Sequence, residues 1–248
     1  MEQQTFSKEH ILAHIRTALG REAATVAPEP LPPFARPHVL REAAELVSQF
    51  SHELEKVGGS VTRVQTVEEI RELLQKLFPA DEFASVAVSN SEVLRGLGIL
   101  EWLVSDNRRI VPSLEEFWSG RMQEAGSEKP TYEYSNVLLE ASLGITSADY
   151  ALADTGTLVL ISGGEQHRLI SLVPPVHVCF LDPCRIFGSL IELLVHIQGE
   201  YDAHGSLPQA LTCITGPSRT ADIELTITMG IHGPRALHVI LLPRTKLF

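Results

Sequence analysis

The residues best suited to chemistry lie near the end of the chain, in TGPSRTADIE from Thr215 to Glu224. This stretch gathers the hydroxyls of Ser218 and Thr220, the guanidinium of Arg219, and the carboxylates of Asp222 and Glu224. A guanidinium fork matches the geometry of a carboxylate or phosphate, and neighbouring hydroxyls add donors. The preceding LTCIT reads as a buried strand that runs into the small-residue turn Gly216-Pro217 and then toward a helix near Thr220. In α/β sheets ligands bind outside the carboxyl ends of strands, and the amides of a helix start favour an anion. On this reading Gly216, Ser218, Arg219 and Thr220 hold the anion, while Asp222 and Glu224 orient it or move protons. The same residues also fit a structural turn, with Thr220 as a helix cap and Arg219 paired to Asp222 or Glu224. Residue types alone leave both readings open.

A second constellation is Asp154-Thr155-Gly156-Thr157, a tight connection between YALA and LVLIS. Thr155, Gly156 and Thr157 offer hydroxyls and amides to a substrate, and Asp154 a general base or ligand anchor. Taken alone, a local turn in which Asp154 bonds the nearby backbone is the simpler reading. Of the histidines, His232 is the candidate for acid–base work, because it follows TGPSRTADIE closely. His10 and His14 share a helix face, but without the glutamate of a zincin the spacing reads as a solvated surface. His177 falls in an apolar strand and reads as a hydrogen-bonded core histidine; with Cys179 and Cys184 it gives no zinc-ligand spacing. No metal site is expected. No GxxxxGK[ST], strand-linked GxGxxG or GxSxG pattern occurs.

The net charge of −11 argues against nucleic acid or an anionic membrane as a general partner. From Ala203 onward, however, four basic residues face two acids, which leaves room for a local anion site. The opening MEQQTFSKEHILAHIRTALG does not read as a secretory signal, and no apolar run approaches the roughly 20 residues of a bilayer span. Cys179, Cys184 and Cys213 form no disulfide framework, so a reduced cytoplasmic chain is the expectation. Their number and spacing also fail the patterns of iron–sulfur ligation. Any electrons are therefore expected to travel through another polypeptide, with no cofactor held by this one.

The elements that must position these groups follow from periodicity and punctuation. Ser7 to Gly20 reads as a capped amphipathic helix, followed by an arm with prolines at 28, 30, 32, 33 and 37. Residues 1–40 are thus expected to form a helix and proline-rich arm, a candidate surface for partners or homo-oligomers, and residues 41–248 an α/β domain. Within the latter, REAAELVSQFSHELEKV is a helix, VTRV a strand, and Thr66 to Glu69 a capping box opening VEEIRELLQKLF. SVAVS and WLVSD read as buried strands around a short helix. Ser113–Glu116 reads as a further capping box, and residues 119–135 as a lid or an irregular connection. Gly163-Gly164 suggests a hairpin between TLVLIS and RLISLV. VHVCFL, LTCIT and HVILL are strands, and SLIELLVHIQGEY is a helix. Such alternation favours a mainly parallel sheet flanked by helices.

The order ITSADYALADTGTLVLIS, RLISLVPPVHVCFL, LTCITGPSRTADIELTITMGIHGPRALHVILL resembles the lactate utilisation protein C family, also called the LUD domain. The likeness is specific over the last hundred residues or so and fits the earlier portion in layout. GPSRTADIE with a following HGP is its most distinctive part. Asp154 departs from the pattern, standing where the family often has glutamate, which shortens the reach of that carboxylate. The resemblance implies a NagB/RpiA/CoA-transferase-like fold, shared by sugar-phosphate isomerases and formyltetrahydrofolate cyclo-ligases. It also implies a part in oxidising L-lactate to pyruvate with two partner proteins that carry iron–sulfur clusters. It brings no defined mechanism for this chain.

Three functions are therefore carried forward. The first is a subunit binding a small carboxylate or phosphorylated ligand in a lactate-oxidising assembly. The second is a stand-alone enzyme acting on a phosphorylated, CoA-linked or folate-like molecule. The third is a non-catalytic assembly scaffold.

Overall fold

The computed structural model describes residues 8–18, 42–112, 136–162, 168–204, 210–221 and 227–243. The Ser113–Glu116 cap, the 119–135 connection and the Gly163-Gly164 turn lie outside these residues. The chain divides into two units, Met1–Arg36 and Pro37–Phe248. In the first, α1 (Lys8–Ala18) is a helix whose residues 13–18 are exposed.

The second unit opens with α2 (Ala43–Lys56), β1 (Ser60–Arg63) and α3 (Val67–Leu77). Val47, Phe50 and Leu54 recur along one face of α2 and are buried. The expected capping box holds α3: the Glu69 amide donates to Thr66 Oγ1 at 3.1 Å. The Glu69 carboxylate in turn accepts from the amide of Gln65, one residue before the cap, at 2.7 Å. Next come β2 (Ser85–Val88), α4 (Glu92–Gly96), α5 (Ile99–Ser105), β3 (Arg109–Val111) and β4 (Leu143–Ser147). Here WLVSD belongs to a helix rather than the expected strand. Ile99, Trp102 and Leu103 are buried at helical spacing while Leu100 and Val104 are exposed. A short apolar run does not by itself declare its period.

The chain continues through β5 (Tyr150–Leu152), β6 (Thr157–Ser162), β7 (Val176–Leu181), β8 (Ile186–Phe187) and α6 (Leu190–His204). It ends with β9 (Ala210–Ile214), β10 (Arg219–Ala221), β11 (Ile227–Met229) and β12 (Ala236–Leu241). The hairpin expected between TLVLIS and RLISLV does not form, because Arg168–Ser171 is a 3₁₀ turn. Instead β6 pairs antiparallel with both β5 and β9.

Among the described residues the strands form a six-stranded sheet in the order β1-β12-β7-β4-β2-β3, a four-stranded sheet β8-β5-β6-β9, and the hairpin β10-β11. Every neighbouring pair in the large sheet is parallel. This is the expected α/β architecture. Its central strand β7 is buried at all six positions, as a strand covered on both faces must be. One face packs Val178, Phe180 and Ile145 against α3, α4 and α5. The other packs Cys179, Leu181 and Val239 against α2 and the smaller sheet, whose far side is covered by Leu193 and Ile197 of α6.

A polar group is built into this core. His177 is fully buried; its Nε2 meets Thr146 Oγ1 at 2.8 Å, and its Nδ1 has no partner among the described residues. Burial pushes its pKa down to about 3, so the folded protein holds it neutral. The unfolded chain binds a proton there below about pH 6.5, so stability falls as pH drops from about 6.5 toward 3. His238, whose Nδ1 meets Ser60 Oγ at 2.6 Å, is shifted in the same direction by burial. Urea unfolding at pH 7 and pH 4.5 is expected to show a large acid loss. That loss shrinks in His177→Gln, even though the variant starts from lower stability.

Candidate functional site

The β5–β6 pairing sets Leu152 opposite Thr157, so Ala153–Gly156 forms the connection of a hairpin. The β6–β9 pairing sets Leu158 opposite Ile214. These two registers bring Thr157, at the start of β6, beside Thr215, just past the end of β9. Their hydroxyls are 2.7 Å apart. Thr157 Oγ1 also lies 2.8 Å from Thr155 Oγ1, which donates to Asp154 Oδ1 at 3.2 Å.

Each hydroxyl has a single proton to donate. Because the Thr155 proton points to Asp154, Thr155 must accept from Thr157, and Thr157 must then accept from Thr215. The chain therefore runs Thr215 to Thr157 to Thr155 to Asp154, one hydrogen bond deep at each step. Thr157 is buried in its middle, whereas Asp154, Thr155 and Thr215 are exposed. Thr215 is left with open lone pairs and suits a ligand that donates a proton.

Both loops close on the last turn of α2. Gly156 adopts φ +63°, and a Cβ there would lie 2.7 Å from the backbone of Glu53. Gly216 adopts φ +83°, and its Cβ would meet Val57 Cγ2 at 2.9 Å. Both positions thus combine a left-handed backbone with a close approach that leaves no room for a side chain. Arg219 donates from Nη2 to Val57 O, the C-cap carbonyl of α2, at 2.6 Å. A cation at a helix C-terminus interacts favourably with the macrodipole and satisfies an orphan carbonyl.

The structure corrects three features of the expected site. LTCIT is β9, half-buried to exposed at the side of the smaller sheet, and not a buried parallel strand. Arg219 and Thr220 enter β10, which pairs with β11, so no helix starts there. Finally, the loops lie at the amino edge of the parallel sheet rather than its carboxyl edge. Arg219 bonds Val57, ahead of β1, and the Ser218 amide donates to Pro234 O, ahead of β12, at 2.8 Å.

The structure thus brings Asp154, Thr155, Gly156 and Thr157 together with Thr215 and Gly216, and anchors Ser218 and Arg219 beside them. The Ser218 carbonyl accepts from Gly230 N at 3.0 Å, which folds the 230–234 turn over this segment. His232 is exposed on that turn. Only the backbone of Thr220 is described, and Asp222 and Glu224 lie outside the described residues. Sequence reasoning did not single out Thr215 as a site residue, nor the end of α2. Their place depends on antiparallel pairings that no local pattern declares. Among the described residues no group of three or more His, Cys, Asp or Glu is arranged to hold a metal ion, and no helix is long and apolar enough to cross a membrane.

The profile of the LUD domain matches residues 47–242, which takes in most of α2, both loops and every described strand. The chain belongs to the LUD domain family. Its relatives include an uncharacterised protein from Neisseria meningitidis serogroup B, 41% identical over 97 residues, or 39% of this chain and 40% of that one. Lactate utilization protein C from Halalkalibacterium halodurans is 34% identical over 102 residues, covering 41% of this chain and 44% of its own length. These two alignments thus span less than half of the relatives they match. Lactate utilization protein C from Anoxybacillus flavithermus aligns over 240 residues at 24% identity, covering 95% of this chain and 100% of its own. A crystal structure of a DUF162 family protein from Deinococcus radiodurans shares the fold, with a TM-score of 0.52 at 19% identity over 82% of this chain and 99% of that one.

The contact between LUD loop and helix is open to direct measurement. Gly156→Ala is expected to cost about 2 kcal/mol or more, from backbone strain plus the clash with α2. Gly199→Ala, in α6 with nothing within 4 Å of the added Cβ, is expected to gain up to about 1 kcal/mol from helix propensity. Urea midpoints that move in the same direction for both would contradict the close approach.

Proposed function

We propose that this chain is a substrate-handling subunit of an L-lactate utilisation system, with electron transfer left to two iron–sulfur partner proteins. The observation that carries the reading is the alignment of lactate utilization protein C from A. flavithermus along 95% of the chain and all of its own length. The hydroxyl chain supports a role suited to a 2-hydroxy acid. The alcohol of such a ligand donates to the open lone pairs of Thr215. As its proton passes to Thr215, the protons of Thr215, Thr157 and Thr155 each move one place, and Asp154 takes the last. The ligand is left as the alkoxide and Asp154 as the neutral acid, so charge is conserved. Arg219, four residues beyond Thr215, has guanidinium donors left after its bond to Val57 and would face the carboxylate. This chain takes the hydroxyl proton only; the C2 hydrogen and the two electrons whose loss turns the alkoxide into a ketone pass to the partners.

Deleting the chain from a strain without another lactate oxidase is expected to abolish growth on L-lactate. Restoring it as Thr215→Val or Asp154→Asn is expected to return at most about a tenth of the wild-type consumption rate. Unimpaired growth after deletion would remove the pathway role. Wild-type rates for both variants would remove the relay and leave the role intact.

A second reading is favoured by one observation, the seating of Gly156, Gly216 and Arg219 on the end of α2. On it the signature is a structural clamp within a non-catalytic scaffold. Arg219→Gln would then lower the melting temperature while leaving lactate consumption per folded molecule unchanged.

A further inference from the structure

The carboxyl edge of the parallel sheet, opposite the signature loops, holds a cavity of about 240 Å³. Arg63 and Gln65 line it where β1 ends, Leu241 and Leu242 where β12 ends, Pro183 after β7, and Val47 on α2. This is where parallel α/β sheets open a crevice, because the strands end together and the following loops diverge. The volume falls below the range of drug-sized sites and fits a small metabolite.

The walls are chemically uneven. Val47, Leu241 and Leu242 are nearly fully buried and give the cavity an apolar floor. Strand alternation sets Arg63 on the same face as Val61, which packs against the α2 cluster, and Arg63 lines the cavity at the end of that strand. Arg63 is exposed at the rim and has no hydrogen-bond or ion-pair partner among the described residues. Of the acids flanking the lining residues, Glu69 accepts from Gln65 N and Asp182 accepts from Cys184 N. In a chain of net charge −11, a guanidinium without a partner among the described residues stands at the rim of a small cavity with an apolar floor and a polar rim.

We propose that this cavity binds a small monocarboxylate, its carboxylate held by the Arg63 fork and its short apolar body on Val47, Leu241 and Leu242. One planar fork satisfies the two oxygens of one carboxylate, whereas a phosphate dianion would leave oxygens without donors. The Gln65 side chain, also at the rim, is placed to donate to a carbonyl or hydroxyl oxygen next to the carboxylate. The site is separate from the signature loops and does not depend on the role proposed for them.

The test is calorimetric titration of the intact protein with pyruvate and, separately, with inorganic phosphate. Pyruvate is expected to bind saturably, Arg63→Gln to weaken it at least about tenfold, and Arg63→Lys to weaken it less. Arg109→Gln, on β3 at the opposite edge of the sheet from β1, is expected to leave pyruvate affinity unchanged. Melting curves of the Arg63 variants check that this exposed strand-end position leaves the fold intact. Loss of binding in Arg219→Gln but not in Arg63→Gln would move the ligand to the signature loops and overturn the proposal. Saturable phosphate without pyruvate, or neither, would overturn it as well.

Discussion

The last turn of α2 is the constraint on which the rest of the site depends. Two loops distant in sequence, at Gly156 and at Gly216, come so close to its backbone that neither position admits a Cβ. The helix end therefore works as a template against which both loops are seated. The hydroxyl chain follows from this, since Thr157 and Thr215 meet at 2.7 Å only when both loops sit against the same surface. Burial of Phe50 and Leu54 holds the template itself, each side chain contributing about 1.5–3 kcal/mol of transfer energy.

That arrangement gives the signature residues a double character. Arg219 satisfies a helix carbonyl, Gly216 permits the approach, and the same segment presents Thr215 outward. Structural and chemical readings of such a motif do not exclude each other, because preorganising a hydroxyl chain requires a rigid support. What the geometry does decide is the polarity of the chain. Its acid lies at Asp154, and its open acceptor lies at Thr215.

The sequence carried the α/β class, the order of most strands and helices, and the capping box at Thr66, since each is written in local periodicity or punctuation. It carried the two loops as chemically dense places for the same reason. It misread WLVSD, where a seven-residue helix and a buried strand share an apolar run. It also misplaced the loops relative to the parallel sheet, taking LTCIT for one of its strands. Pairing partners cause that error: β9 joins β6 in the smaller sheet through contacts about fifty residues apart, and a strand's own residues do not name its neighbour. Thr215 was passed over for the same reason, because its value lies in the hydroxyl of Thr157.

The two arginines at opposite ends of α2 show how position alters an identical group. At fourteen residues the helix is about 21 Å long, roughly two and a half times the Debye length at physiological salt, so exposed charges at its two ends are largely screened from each other. Arg219 stands at the negative end of the dipole, where one of its donors is committed to Val57 O. Arg63 stands at the other end, over apolar side chains and without a protein partner among the described residues. A guanidinium already bonded to its own helix offers a ligand only what remains of its fork. An unpaired one offers the whole fork, and the apolar floor beside it lowers the local dielectric and strengthens any ion pair formed there. Had recognition of a carboxylate been judged by motif density alone, Arg219 would have been the first choice. Judged by the donors left available, Arg63 offers a second, separate place for a carboxylate.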